Sequence, residues 1–104
     1  MNIQITARKF RAKDSLKDFI REAIKSLEKF NDQIIEANVV LSYTHLKDSI
    51  KNVEIVLQIP GKIITVNDSS EDYEKSVNNA IEKIIRQLSK IKTKRISRKK
   101  SHEN

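Results

Sequence analysis

The segment that decides the fold is KNVEIVLQIPGKIITVN, residues 51–67. Its first half places an apolar side chain at every second position: Val53, Ile55, Leu57 and Ile59. Alternation with a period of two indicates a β-strand that buries one face. Pro60-Gly61, which contains the only proline and the only glycine of the chain, predicts a tight turn. A further strand is predicted over Lys62–Asn67, so the segment should form an antiparallel hairpin.

Two strands and a helix are predicted before this hairpin. Residues 2–7 alternate like a short strand, and Ile34–Thr44 is rich in β-branched residues and indicates a longer one. Between them, Asp14 or Ser15 is expected to cap a helix over residues 14–30. The apolar residues of this helix recur at helical intervals: Leu16, Phe19, Ile20, Ala23, Ile24, Leu27 and Phe30.

A second helix is predicted from Ser70 onward. Ser69, Ser70 and Glu71-Asp72 supply a cap and acidic side chains at the positive end of the helix dipole. An apolar stripe follows over five turns: Tyr73, Val77, Ala80, Ile81, Ile84, Ile85, Leu88 and Ile91. Residues 97–104 lack apolar periodicity and are expected to form a basic, flexible tail.

The order of these elements predicts an α+β fold. A strand, a helix and a second strand form a right-handed crossover, so the first two strands should run parallel. The later strands follow as antiparallel hairpins, and both helices need the same sheet face to bury their stripes. We therefore predict a βαβββα domain over residues 1–96, with a four-stranded mixed sheet and two helices packed on one face.

The composition leaves little room for catalysis. There is no cysteine, and one glycine cannot make a phosphate-binding loop. His45, in a predicted turn, and His102, in the tail, have no companion at metal-ligand spacing. No nucleophile, base and orienting group can be named together. With no apolar run of signal-peptide or membrane-spanning length, we expect a cytoplasmic protein that is not an enzyme and uses no cofactor or metal.

Positive charge is concentrated in two segments. The net charge is +7, and nine Lys or Arg residues fall between Lys83 and Lys100 without an acid. Four more fall between Arg8 and Lys13, again without an acid. The rest of the chain has eight bases against fourteen acids. Such clustering is typical of a surface that binds a polyanion, although a solubilising face with a basic tail would give the same count.

The bases also follow helical spacing. On the second helix, one face is expected to carry Asn79, Lys83, Arg86, Lys90 and Lys94. On the first helix, bases four residues apart form a second row: Lys17, Arg21, Lys25 and Lys29. The second row is less specific, because Asp18, Glu22 and Glu28 lie close enough to pair with it. No acid lies between Lys83 and Lys100, which favours binding for that row.

The aromatic residues indicate which nucleic acid such rows would bind. Phe19 and Phe30 belong to the apolar stripe, Tyr43 and Tyr73 are also expected in the core, and only Phe10 is expected in an exposed basic loop. Single-strand binders stack bases on exposed rings, so lysine rows without a stacking platform favour phosphate and shape recognition on folded RNA. A general binder of double-stranded RNA or DNA remains an alternative, as does an interaction module with an incidental basic tail.

Three short motifs resemble one known family. The first motif, in the first strand, is Ile3-Gln4-Ile5-Thr6. The second, in the first helix, consists of Leu16-Lys17-Asp18-Phe19-Ile20 and Leu27-Glu28-Lys29-Phe30. The third begins with Glu71-Asp72 and continues on the second helix with Lys83-Ile84-Ile85-Arg86-Gln87-Leu88-Ser89-Lys90 and Lys92-Thr93-Lys94. Together they resemble the ribosome hibernation-promoting factors, which include the ribosome-associated translation inhibitor. The resemblance covers residues 1–95 and is to the short form, which lacks a carboxy-terminal dimerisation domain.

This resemblance implies a function that the spacing alone does not. It implies binding to ribosomal RNA in the decoding cleft of the small ribosomal subunit, in competition with mRNA and tRNA, and inhibition of translation under stress. We expect a monomer when free, and no membrane partner. The RNA-binding residues implied by position are Lys83, Arg86, Lys90, Lys92 and Lys94, with Lys25 and Lys29 from the first helix.

Overall fold

A computed structural model describes the backbone of residues 1–44 and 50–103, and the side chains of these residues up to Ile91. The predicted element order, βαβββα, is confirmed. The elements are β1 (Asn2–Ala7), α1 (Asp14–Lys25), a 3-10 helix (Ser26–Lys29), β2 (Glu36–Tyr43), β3 (Lys51–Ile59), β4 (Lys62–Ser70) and α2 (Tyr73–Glu103). The predicted turn over His45–Ser49 lies outside the described residues, and the flexible tail over 97–104 stays a prediction.

The four strands form one mixed sheet in the order β1-β2-β3-β4. β1 and β2 are parallel, and the two later pairs are antiparallel, as predicted. The register aligns the apolar positions into rows that cross the sheet, for example Ile5, Val39, Ile55 and Val66. Because side chains alternate between the two faces of a strand, every such row lies on the same face.

Both helices pack on this face and begin at the same end of the sheet. β1 and β4 run in the same direction, and each is followed by a helix that returns over the sheet. α1 and α2 are therefore parallel and contact each other. The largest fully buried side chains include Ile20, Leu41, Ile55 and Ile84.

The start of the first helix at residue 14 is confirmed, but its predicted cap and the predicted start of the second helix need correction. Neither Asp14 nor Ser15 caps α1, because the helix begins at Asp14 itself and Lys13 occupies the N-cap position without a side-chain hydrogen bond. α2 does not begin at Ser70, since that residue pairs with Lys51 at the end of β4. Its cap is Asp72, whose carboxylate accepts a hydrogen bond of 2.7 Å from the Lys75 N–H.

The end of the first helix also differs from the prediction. The regular helix ends at Lys25 and continues as one 3-10 turn to Lys29, with Leu27 fully buried. The backbone then turns, so the Phe30 ring leaves the apolar stripe and is 41% exposed. The prediction that Phe30 belongs to the core is therefore wrong.

Candidate nucleic-acid interface

The exposed side of α2 carries two bases that have no ion-pair partner among the described side chains, Arg86 and Lys90. They lie on the side of the helix away from the buried residues Ile84 and Leu88. Both side chains are accessible to a phosphate.

Lys83 has a different environment. Its ammonium group donates a hydrogen bond of 2.6 Å to the Asn67 carbonyl and lies 3.1 Å from a carboxylate oxygen of Asp68. The other Asp68 oxygen accepts a hydrogen bond of 3.0 Å from the Asn79 amide. Asp68 is 14% exposed, against 45% for Lys83. Two residues of the predicted basic face thus bind an acid on β4, which counting charges along the helix could not reveal.

The first helix brings Lys25 and Lys29 to the same end of the molecule. Both are exposed, and neither has an ion-pair partner among the described side chains. Arg21, by contrast, pairs with Asp18 at 3.4 Å. A groove of about 390 Å³ separates the two helices here, and Lys29, Phe30, Leu88 and Ile91 are among its lining residues. Of the unpaired bases, only Lys29 lines this groove, where it lies beside the acids Glu28 and Asp32.

The remaining two candidates follow Lys90 along α2. Lys92 and Lys94 belong to the helix, but their side chains lie outside the described residues. Their role stays a prediction from the sequence.

The loop aromatic is not exposed as predicted. Phe10 stacks on Tyr73, with ring centres 5.3 Å apart and planes at 13°, and meets the edge of Tyr43 at 6.0 Å. The Tyr73 hydroxyl donates a hydrogen bond of 2.8 Å to the Ser42 carbonyl. Burial, and secondarily the neighbouring Tyr43, raises the pKa of Tyr73 above its ordinary value of 10.0. Phe10 is half-buried because it closes this cluster at the beginning of α2.

The described part of the chain has neither a metal site nor a membrane-spanning helix. There, no three His, Cys, Asp or Glu side chains lie together as metal ligands would. No helix within the described ranges is long and apolar enough to cross a membrane. Of the five aromatic residues, all of them described, only Phe30 is classed as exposed. The exposed bases in the middle of α2 and at the end of the first helix are thus the strongest candidate for a binding surface.

A family model described as "Sigma 54 modulation protein / S30EA ribosomal protein" matches residues 3–96 of the chain. The chain belongs to this family. Membership confirms the prediction of a protein that is not an enzyme, because the S30EA family is one of ribosomal proteins and modulators. It also confirms the family resemblance found in the sequence motifs.

Two bacterial relatives of the S30EA chain are named as ribosome hibernation factors. It is 30% identical over 98 residues to a "Ribosome hibernation promoting factor" of Azotobacter vinelandii, covering 94% of this chain and 89% of the relative. It is 27% identical over 93 residues to a "Ribosome hibernation promotion factor" of Deinococcus radiodurans, covering 88% of this chain but 49% of the relative.

Among solved structures, a ribosomal subunit interface protein from Coxiella burnetii superposes with a TM-score of 0.81 at 25% identity, covering 89% of this chain and 99% of that one. The N-terminal domain of Thermus thermophilus Protein Y gives 0.77 at 24%, covering 88% and 99%, and this likeness shows the fold.

Proposed function

We propose that this chain is a ribosome hibernation factor. In this proposal it binds ribosomal RNA in the decoding cleft of the small ribosomal subunit, blocks the mRNA and tRNA sites, and inhibits translation under stress. It would act in the cytoplasm and be a monomer when free. The names of its relatives in Azotobacter and Deinococcus support the hibernation role.

The observation that carries the proposal is a set of four exposed bases without ion-pair partners among the described side chains, in the middle of α2 and at the end of the first helix. Arg86 and Lys90 come from α2, Lys25 from the end of α1, and Lys29 from the 3-10 helix that follows it. A phosphate backbone needs bases that are not already neutralised by nearby acids. These four meet that requirement among the described side chains, whereas Lys83 shares its charge with Asp68.

The chemistry of this surface favours folded RNA over a single strand. Only one aromatic ring, Phe30, is classed as exposed, so there is no platform on which successive bases could stack. Lysine side chains supply point charges to phosphates, and the Arg86 guanidinium can hold one phosphate with two parallel hydrogen bonds. Contacts of this kind read the shape of the RNA backbone rather than its sequence.

The test is binding of the whole chain to purified small ribosomal subunits, with and without mRNA and tRNA. We expect mRNA and tRNA to displace the protein. Arg86→Gln/Lys90→Gln should bind more weakly than a charge-matched control, Lys62→Gln/Lys75→Gln. In the control, Lys62 follows the β3–β4 turn, and Lys75 pairs with Glu71 at 4.0 Å.

Two outcomes would contradict the proposal. If mRNA and tRNA at saturating concentration leave binding unchanged, the protein does not overlap their sites. If the chain binds an unrelated RNA duplex as tightly as it binds the subunit, it is a general binder of nucleic acid.

A further inference from the structure

A second basic surface lies at the opposite end of the molecule. It is the basic loop, defined as residues 8–13, RKFRAK, between β1 and α1. Its four bases, Arg8, Lys9, Arg11 and Lys13, are all exposed, and the loop contains no acid. None of the four has an ion-pair partner among the described side chains. The loop therefore presents uncompensated positive charge.

The basic loop is fixed in shape by its two apolar residues. Phe10 stacks on Tyr73 and meets the edge of Tyr43, while Ala12 is 6% exposed in the core. Phe10 and Ala12 alternate along the loop with Lys9, Arg11 and Lys13. Because Phe10 and Ala12 are packed against the core, the three bases point outward. A surface that is already ordered loses less conformational entropy when it binds a ligand.

The backbone at Lys9 gives independent evidence of this ordering. Lys9 has φ of 65°, the left-handed region that residues other than glycine rarely adopt. The Tyr43 hydroxyl donates to the Lys9 carbonyl at 3.4 Å, and the Arg8 N–H donates to the Leu41 carbonyl at 2.9 Å. Strained backbone of this kind persists only where the surroundings hold it, and it occurs often at binding sites.

The basic loop and the exposed α2 bases, Arg86 and Lys90, are far apart. Phe10 touches Tyr73 at the start of α2, whereas Lys90 lies 17 residues further along the same helix. At 1.5 Å per residue, Tyr73 and Lys90 are separated by about 26 Å along α2. One phosphate cluster cannot contact both.

We propose that the basic loop is a second phosphate-binding surface. It holds a different segment of ribosomal RNA from the segment that Arg86 and Lys90 bind. This inference rests on the proposed function, and it adds attachment at two points. The side chains carry the binding and the N-terminus of α1 does not, because Asp14 already occupies the first helical turn with a negative charge. Uncompensated, exposed bases match the charge of an RNA backbone.

The test compares Arg11→Gln/Lys13→Gln with the control Lys62→Gln/Lys75→Gln, which removes the same charge elsewhere. Binding to purified small subunits is measured as a function of salt. If each base neutralises one phosphate, the slope of log affinity against log salt should fall by about 1.5 relative to the control. Raising the salt from roughly 50 to 200 mM should then weaken this variant about eightfold less than the control.

The possible results separate the two proposals. If the wild-type chain does not bind subunits, the proposed function and this inference both fail. If it binds and the loop variant matches the control in affinity and slope, only the inference is overturned. If the loop variant loses affinity with an unchanged slope, its partner is not RNA phosphate, and the inference is overturned as well.

A further variant tests whether the fixed shape of the loop contributes. Phe10→Leu keeps every charge but removes the stacked ring. We expect weaker binding with an unchanged salt slope, because the number of phosphate contacts stays the same. Wild-type affinity in a folded Phe10→Leu protein would overturn the contribution of loop ordering.

Discussion

At the scale of single residues, the surroundings of a base decide whether it can bind a phosphate. Lys83 and Arg86 are three positions apart on α2, and the sequence spacing treats them alike. Lys83 is held by the Asn67 carbonyl and the Asp68 carboxylate, whereas Arg86 has no acidic partner among the described side chains. The acid responsible is Asp68, which lies on β4, 15 residues before Lys83 in the sequence.

This difference predicts opposite effects of two substitutions. Lys83→Met should lower the free energy of unfolding by about 1 kcal/mol or less, because the ammonium group is partly exposed to solvent. Arg86→Met should leave the free energy of unfolding nearly unchanged and weaken subunit binding more strongly. Urea titrations and binding curves of both variants provide the measurement. A stronger binding loss for Lys83→Met would show that its pairing with Asp68 opens on the ribosome.

Tyr73 gives a prediction about pH. Its pKa is raised by burial and then by Tyr43, so the folded protein retains the phenolic proton at a pH where the unfolded chain has lost it. Folding stability should therefore decrease as pH rises through and above 10.0, the ordinary value. Alkaline absorbance titration of a Tyr43→Phe variant follows Tyr73 alone, and thermal melts above and below that pH follow stability.

A control separates this effect from general alkaline loss of stability. Tyr73→Phe keeps the ring that Phe10 stacks on but has no proton to lose. Its stability should depend less on pH in the same range. An identical decrease in both proteins would mean that Tyr73 does not cause it.

At the scale of elements, α2 connects the core to the binding surface. One side of this helix buries Val77, Ile84 and Leu88 against β3 and β4, and the other exposes Arg86 and Lys90. Burial of the apolar side fixes the rotation of the helix about its axis. The direction in which the bases point is thus set by core packing.

Ile84→Ala should be strongly destabilising. Ile84 is fully buried, so its truncation removes apolar contacts and leaves a cavity, at a cost of roughly 2–5 kcal/mol. Chemical denaturation measures this loss, and Glu82→Ala on the exposed side of α2 is the matched control. A loss below that of the control would mean that the wrong side of the helix had been assigned to the core.

The α2 cap makes a smaller and more local contribution. Asp72 accepts the Lys75 N–H at 2.7 Å, so Asp72→Ala should lower the free energy of unfolding by about 0.5–2 kcal/mol. Ser69→Ala, three residues before the cap and on β4, is the comparison in a denaturant series. Equal effects would indicate that the helix start does not depend on this hydrogen bond.

The strands and helices could be predicted from the sequence because each has a clear hydrophobic period. Their ends could not, because competition between elements decides them. Ser70 looks like a helix cap in the sequence, yet it pairs with Lys51 and extends β4. Phe10 looks exposed in a basic loop, yet Tyr43 and Tyr73 from distant positions enclose it. Contacts between residues far apart in sequence leave no periodic signal.

At the scale of the whole molecule, the fold separates two basic surfaces. Both helices run in the same direction, so the basic loop lies at their beginning, and Arg86 and Lys90 lie 13 and 17 residues beyond the first residue of α2, Tyr73. The hydrophobic core between them makes the separation of about 26 Å a fixed distance along α2. A rigid domain of this kind can contact two RNA segments only where their spacing matches its own.

The final prediction concerns the combination of both surfaces. If the two ends contact the small subunit together, the losses from Arg11→Gln/Lys13→Gln and Arg86→Gln/Lys90→Gln should add within about 0.5 kcal/mol, since distant sites share no partners. If the ends bind in alternative orientations, each double variant should lose little and the fourfold variant a great deal. Adding the exposed-lysine control pair, Lys62→Gln/Lys75→Gln, to Arg86→Gln/Lys90→Gln corrects for net charge. Affinities measured at one salt concentration distinguish simultaneous from alternative binding. If the variant with all four substitutions loses far more binding free energy than the two double variants together, attachment at two points is excluded.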